Sequence, residues 1–222
     1  MNFITQINIK SKLTAHWQKL LLITLLAFSY IGVVVLLHTW RGIPIPELTR
    51  DVNAIANIPI YTGFFSQLGI FFWAPTAALC FFTYRILSST GVPKKQMFFF
   101  LFAALLSLLL GLDDVFLLHE QFFPRVIGIS ERFVFLIYGL FTISFLILFR
   151  YLILKTPYII LLVAFMGFGL SIVSDIVHDF GFLFEDGAKM FGLVSWFMYF
   201  YSTSTNAIMN WGKTHTTKVI HD

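Results

Sequence analysis

The chain is short of several things. Cys80 is its one cysteine in 222 residues, so no disulfide can form within the chain and redox arguments leave its compartment open. Charge is scarce: 12% of residues are Asp, Glu, Lys or Arg, against roughly a quarter in a soluble domain. The chain has no Gly-rich phosphate loop, no His-Glu-x-x-His, no Cys-x-x-Cys and no Gly-x-Ser-x-Gly elbow. Those absences remove the usual signals for nucleotide binding, zinc proteolysis, thiol redox chemistry and serine hydrolysis. Residues 1–19 are not read as a signal peptide, because no small-residue cleavage site follows the apolar run that begins at Leu20. No ionisable residue falls in the middle of any apolar run.

What is present is apolar surface. Hydrophobic residues make up 58% of the chain and its mean hydropathy is +0.84. That much apolar area has nowhere to go in water, which points to an integral membrane protein. The 28 phenylalanines pack between helices or against lipid without a polar group to satisfy, and are read as filler. The net charge of +4 does not signal nucleic-acid binding, since the basic residues are scattered over short loops in the pattern that orients membrane proteins.

Six apolar runs approach the ~20 residues a spanning helix needs: Leu20–His38, Ile60–Leu87, Gln96–Leu118, Arg132–Leu154, Pro157–Asp179 and Gly187–Met209. Ahead of them, Phe3, Ile4, Ile7, Leu13 and Trp17 alternate with Lys10, Lys12, His16 and Lys19, as in a segment lying on a membrane surface. Lys94, Lys95, Arg150, Lys155, Lys213 and Lys218 all fall on one side of a six-span topology, and the acids fall on the other. The positive-inside rule then places both termini in the cytoplasm of a cell whose plasma (inner) membrane holds the protein. The second and sixth runs share Gly69-x-x-x-Trp73 and Gly192-x-x-x-Trp196, a weak sign of internal repetition. Between the first two runs, Glu47 to Ile58 is an amphipathic stretch too short to span.

The acids and histidines are the candidate chemistry, because ionisable groups close to hydrocarbon are costly. The third run ends Gly111-Leu-Asp-Asp-Val-Phe-Leu-Leu-His-Glu120. Helix rise puts Asp113 about 27 Å from Lys95, just inside the boundary of a ~30 Å core. In an unbroken helix Asp113 and Glu120 share a face, while Asp114 and His119 point elsewhere unless the helix breaks before His119. The fifth run ends Ser174-Asp-Ile-Val-His-Asp179, placing Asp175, His178 and Asp179 at i, i+3 and i+4 on one face. Imidazole with carboxylates suits Zn²⁺, Mn²⁺ or Fe²⁺; the alternative is a hydrogen-bonded polar seam. Glu131, Glu185 and Asp186 read as acids of first helical turns, with Ser130 as an N-cap and Lys189 as the i+4 partner of Glu185.

The sequence thus predicts an all-α protein: an N-terminal interfacial amphipathic segment over 1–19, a six-transmembrane-helix bundle over 20–209 and a cytoplasmic tail over 210–222. Its expected site is a divalent metal, zinc, held by Asp113, His119, Asp175, His178 and Asp179, with Asp114 and Glu120 as general bases. Such a centre would serve a hydrolase acting on a lipid or lipid-linked substrate. The competing expectations are a proton or cation transporter using the same acids, and an accessory subunit. Expected partners are membrane lipids, with a homo-oligomer or larger membrane complex as the assembled form, and no nucleic acid.

Overall fold

A computed structural model describes residues 9–177 and 181–219, with side chains for Trp17, 19–174 and 181–212. Among the described residues every regular element is helical. The chain divides into two compact units, Met1–Thr62 and Gly63–Asp222.

The first unit is dominated by α1, Ile9–Arg41, a helix of 33 residues. At 1.5 Å per residue it is about 50 Å long, more than a ~30 Å hydrocarbon core requires. The amphipathic segment therefore corrects in one respect: from Ile9 it runs without a break into the first apolar run instead of forming an element of its own. Gly42, at φ 68°, ends the helix with its N–H on the His38 carbonyl, and His38 Nδ1 lies 2.9 Å from the Ile43 carbonyl. The stretch from Glu47 to Ile58 forms two short helices, α2 (Ile45–Thr49) and α3 (Val52–Ala56). Asp51 caps the latter, accepting from the N–H groups of Asn53 at 2.9 Å and Ala54 at 3.2 Å.

The second unit holds α4 (Phe64–Ser88), α5 (Lys94–Phe116), a π-helical segment (Leu118–Ile127), α6 (Glu131–Ile153), α7 (Tyr158–Val177) and α8 (Phe182–Val219). α4 packs on α5 and α8, α7 packs on α8, and α6 joins through α5 and the π-helical segment. The α7–α8 contact is backbone against backbone. A Cβ on Gly167 would lie 2.6 Å from the Gly192 nitrogen, so only glycine permits the approach. The core is aromatic: Phe99 meets Phe100, Phe145, Phe149 and Phe200 with ring centroids 5.1–6.0 Å apart. Large apolar side chains also cover the outside, among them Phe71, Phe82, Leu136, Ile147 and Leu162. In water such a surface would be an aggregation liability; against lipid it is the solvent-facing side.

Four helical stretches are long and apolar enough to cross a membrane: Lys19–Arg41, Phe64–Ser88, Lys94–Phe116 and Glu131–Ile153. The last two of the six runs fall short for different reasons. The described apolar part of α7, Tyr158–Ser174, is 17 residues long. α8 is long, at 38 residues, but Ser195 and the sequence Ser202-Thr-Ser-Thr-Asn206 dilute its apolar content.

Candidate functional site

The site is made by the way α5 stops. Leu117 adopts a left-handed conformation, φ 50° and ψ 46°, and its N–H reaches back to the Asp113 carbonyl. A left-handed turn is ordinarily glycine's, and costs roughly 1–2 kcal/mol in an L-residue. After it the chain winds as a wide π-helical turn, with Gln121 and Phe122 both donating to the Leu117 carbonyl, and ends at Gly128, φ 81°. Reversing there swings His119 back over the end of α5.

Asp113 receives it. One carboxylate oxygen accepts the His119 backbone N–H at 2.9 Å and the Tyr138 hydroxyl, from α6, at 2.9 Å. The other lies 2.5 Å from His119 Nδ1. The residue is only 7% exposed, so these donors replace the water it gave up. The far side of the imidazole looks outward: Nε2 is 3.5 Å from a Glu120 oxygen, and the Glu120 side chain is 49% exposed. Phe135 covers the ring face, with centroids 4.6 Å apart. Burial works against the imidazolium, but the hydrogen bond and charge of Asp113, with the charges of Glu120 and Glu131, outweigh it. The His119 pKa is accordingly raised above 6.5.

Asp114 serves the opposite side of α5. It pairs with Lys189 Nζ from α8 and accepts the Trp73 indole N–H from α4 at 3.2 Å. Trp73 in turn fills the space that a side chain at Gly111 would need, a Cβ there falling 2.8 Å from the Trp73 Cβ. Beside the ion pair is a recess lined by Ser66, Gly69 and Asp186, of about 10 Å³, the size of one water. A second tryptophan, Trp196 on α8, donates to Ser107 of α5 at 2.9 Å. The two Gly-x-x-x-Trp motifs therefore play one role, each carrying an indole donor onto the same helix.

Of the expected ligands, Asp113 and His119 come together, and Glu120 stands at the imidazole's other nitrogen. The expected face shared by Asp113 and Glu120 is corrected: α5 ends at Phe116, so the seven-residue spacing does not stack them. Asp114 stands apart on Lys189. The Asp175 backbone is helical in α7 but its side chain, and His178 and Asp179 altogether, lie outside the described residues. Among the described residues no three His, Cys, Asp or Glu side chains group as a metal set. Ser130 precedes α6 but caps it with its carbonyl, not its side chain. Tyr138, Trp73 and Lys189 are the members the sequence reading did not place. Trp73 was signalled by its motif, and Tyr138 only by being a hydroxyl in an apolar run that needs a partner when buried. Lys189 sits 75 residues from Asp114, and nothing in the sequence links them.

Fold and site together define a protein that is all-helical among the described residues, with four helices long and apolar enough to cross a membrane and a polar cluster at one end of its second unit. Residues 20–203 match the family described as a domain of unknown function (DUF8692), and the chain belongs to that family. No curated protein and no solved structure matches it.

The raised His119 pKa has a consequence for stability. A histidine whose folded pKa exceeds its unfolded value stabilises the fold fully below the unfolded value, and loses that contribution as pH rises through the folded one. In uncharged detergent the melting temperature should be higher at about pH 6 than at about pH 9, and His119→Gln should flatten the difference. A His119→Gln variant with the wild-type pH profile would show that another group is responsible.

Proposed function

We propose that this is a six-span, multi-pass membrane protein that handles protons: a transporter or channel whose acidic end is gated by the titration of His119. One observation carries the reading. The imidazole stands between a buried carboxylate, Asp113, and an exposed one, Glu120, with a ring nitrogen toward each. Such a group can take a proton from the surface on Nε2 and present one to the interior on Nδ1. The interior offers hydroxyls in place of charges: Thr76, Thr83, Ser107, Ser174, Ser195 and Ser204 are all buried along α4, α5, α7 and α8. Hydroxyls both donate and accept, as a proton path through a bundle requires. Protonated, His119 holds the π-helical segment down on α5 through a charged pair; deprotonated, it leaves Asp113 without its counter-charge, and the segment is held less firmly, by neutral hydrogen bonds alone.

A zinc hydrolase is the second reading. Its support is the edge offered by His119 Nε2 and Glu120, together with the Asp175, His178 and Asp179 spacing. Against it, Asp113 already spends its oxygens on three protein donors and Asp114 on two. A metal taking either would break those bonds in a poorly solvated place.

Reconstituted vesicles with a trapped pH dye distinguish the two. Wild-type protein should collapse an imposed pH gradient, and Asp113→Asn or His119→Gln should slow the collapse at least about tenfold. Vesicles no leakier than protein-free ones, together with one tightly bound metal per chain by elemental analysis, would replace this reading with the metalloenzyme.

The orientation proposed places both termini in the cytoplasm and the Asp113–His119 cluster outside, on the strength of the basic segments around Lys94, Lys95, Arg150 and Lys155. Cys80 is fully buried, so it gives little background to labelling. In intact cells a Ser130→Cys variant should react with an impermeant thiol reagent and Ser89→Cys should not. The reverse pattern would invert the topology.

A further inference from the structure

The end of the second unit opposite the acidic cluster contains a cavity that the proton site does not use. Its volume is about 330 Å³, within the range of small-ligand sites, roughly 300–1,000 Å³. It lies between the first turns of α5, the α6–α7 turn and the stretch of α8 from Thr203 to Asn210. Phe99 and Phe100 form an apolar wall, and Gln96, Lys155, Asn206 and Asn210 bring polar groups to it. Gln96 and Asn206 make no side-chain hydrogen bond among the described residues, and Lys155 has no carboxylate partner there.

The charge around this cavity has one sign. The chain has no Asp or Glu between residues 52 and 112, between 132 and 174, or between 187 and 221, and every lining residue comes from those intervals. The same intervals bring Arg85, Lys94, Lys95, Arg150 and Lys155 to this end of the helices. A cation would meet no counter-charge. An anion would meet an ammonium and amide donors, against a wall of two aromatic rings. Several donors from three separate elements suit an anion with several oxygens better than a carboxylate with two.

We propose that this cavity holds a phosphoryl anion bearing an apolar or glyceryl substituent, Lys155 and the amides of Gln96 and Asn206 taking the phosphate oxygens and Phe99 and Phe100 the remainder. That chemistry has two sources, the headgroup of an anionic lipid and a soluble phosphate ester. The test uses the full chain in uncharged detergent and follows melting temperature against added phosphatidylglycerol, glycerol 3-phosphate and phosphatidylcholine. A saturable rise with phosphatidylglycerol alone assigns the site to a lipid; a rise with glycerol 3-phosphate as well assigns it to soluble esters. In either case Lys155→Gln should raise the half-saturating concentration about tenfold, and Lys155→Arg should preserve it. Asn206→Leu, which removes a donor without touching charge, should weaken binding in the same direction. An equal rise with phosphatidylcholine, no rise with either anion, or a Lys155→Gln variant that responds like wild type would overturn the proposal.

Discussion

A carboxylate buried at the end of a membrane-length helix must be given donors, and the rest of the acidic end is arranged around that requirement. Asp113 accepts from two elements, the π-helical segment through the His119 backbone and ring and α6 through Tyr138. These bonds hold the segment against the helix it has just left, and add a polar contact between α5 and α6 at this end to the Phe99–Phe145 and Phe99–Phe149 packing further along the same pair. The left-handed turn at Leu117 is the local strain that makes this geometry available. The His119 N–H that the turn exposes is satisfied by Asp113 itself.

The neighbouring acid does a separate job. Successive residues on a helix point about 100° apart, so Asp114 faces α4 and α8 while Asp113 faces α6. Lys189 and Trp73 meet it there, and Trp196 meets Ser107 two turns down the same helix. α5 is thus pinned on one side by two indoles and a lysine and on the other by a histidine and a tyrosine. In a bundle whose apolar faces gain nothing from leaving lipid, such polar contacts and the close Gly167–Gly192 approach supply the specificity that hydrophobic burial supplies in water.

The helical architecture was legible because apolar runs of fixed length have few other fates. Four of the six expected runs emerge as helices of crossing length and composition, with ends within a few residues of those read from the sequence for α5 and α6. The acidic end was legible in kind but not in pairing. Asp113 and His119 were singled out, yet an unbroken helix separates them; what joins them is a positive φ at Leu117, for which the sequence offers no glycine or asparagine. Lys189 was read as the i,i+4 partner of Glu185, and the structure gives it a tertiary partner, Asp114, that the local rule does not reach. Tyr138 had no signal beyond its hydroxyl. Periodicity reports which face of a helix is apolar; it does not report which polar groups from distant helices will converge on one oxygen.

The account depends on His119 and Asp113 acting as one unit, and a double-mutant cycle measures that directly. Unfolding free energies would be compared for wild type, Asp113→Asn, His119→Gln and the double variant, at about pH 6, where the imidazole is protonated. Residues in one hydrogen-bonded pair couple by roughly 0.5–3 kcal/mol, so the double variant should lose less than the two single variants combined, by at least about 1 kcal/mol. Strictly additive losses would mean that the histidine does not rest on the buried carboxylate, and the proton-gated reading would fall with it.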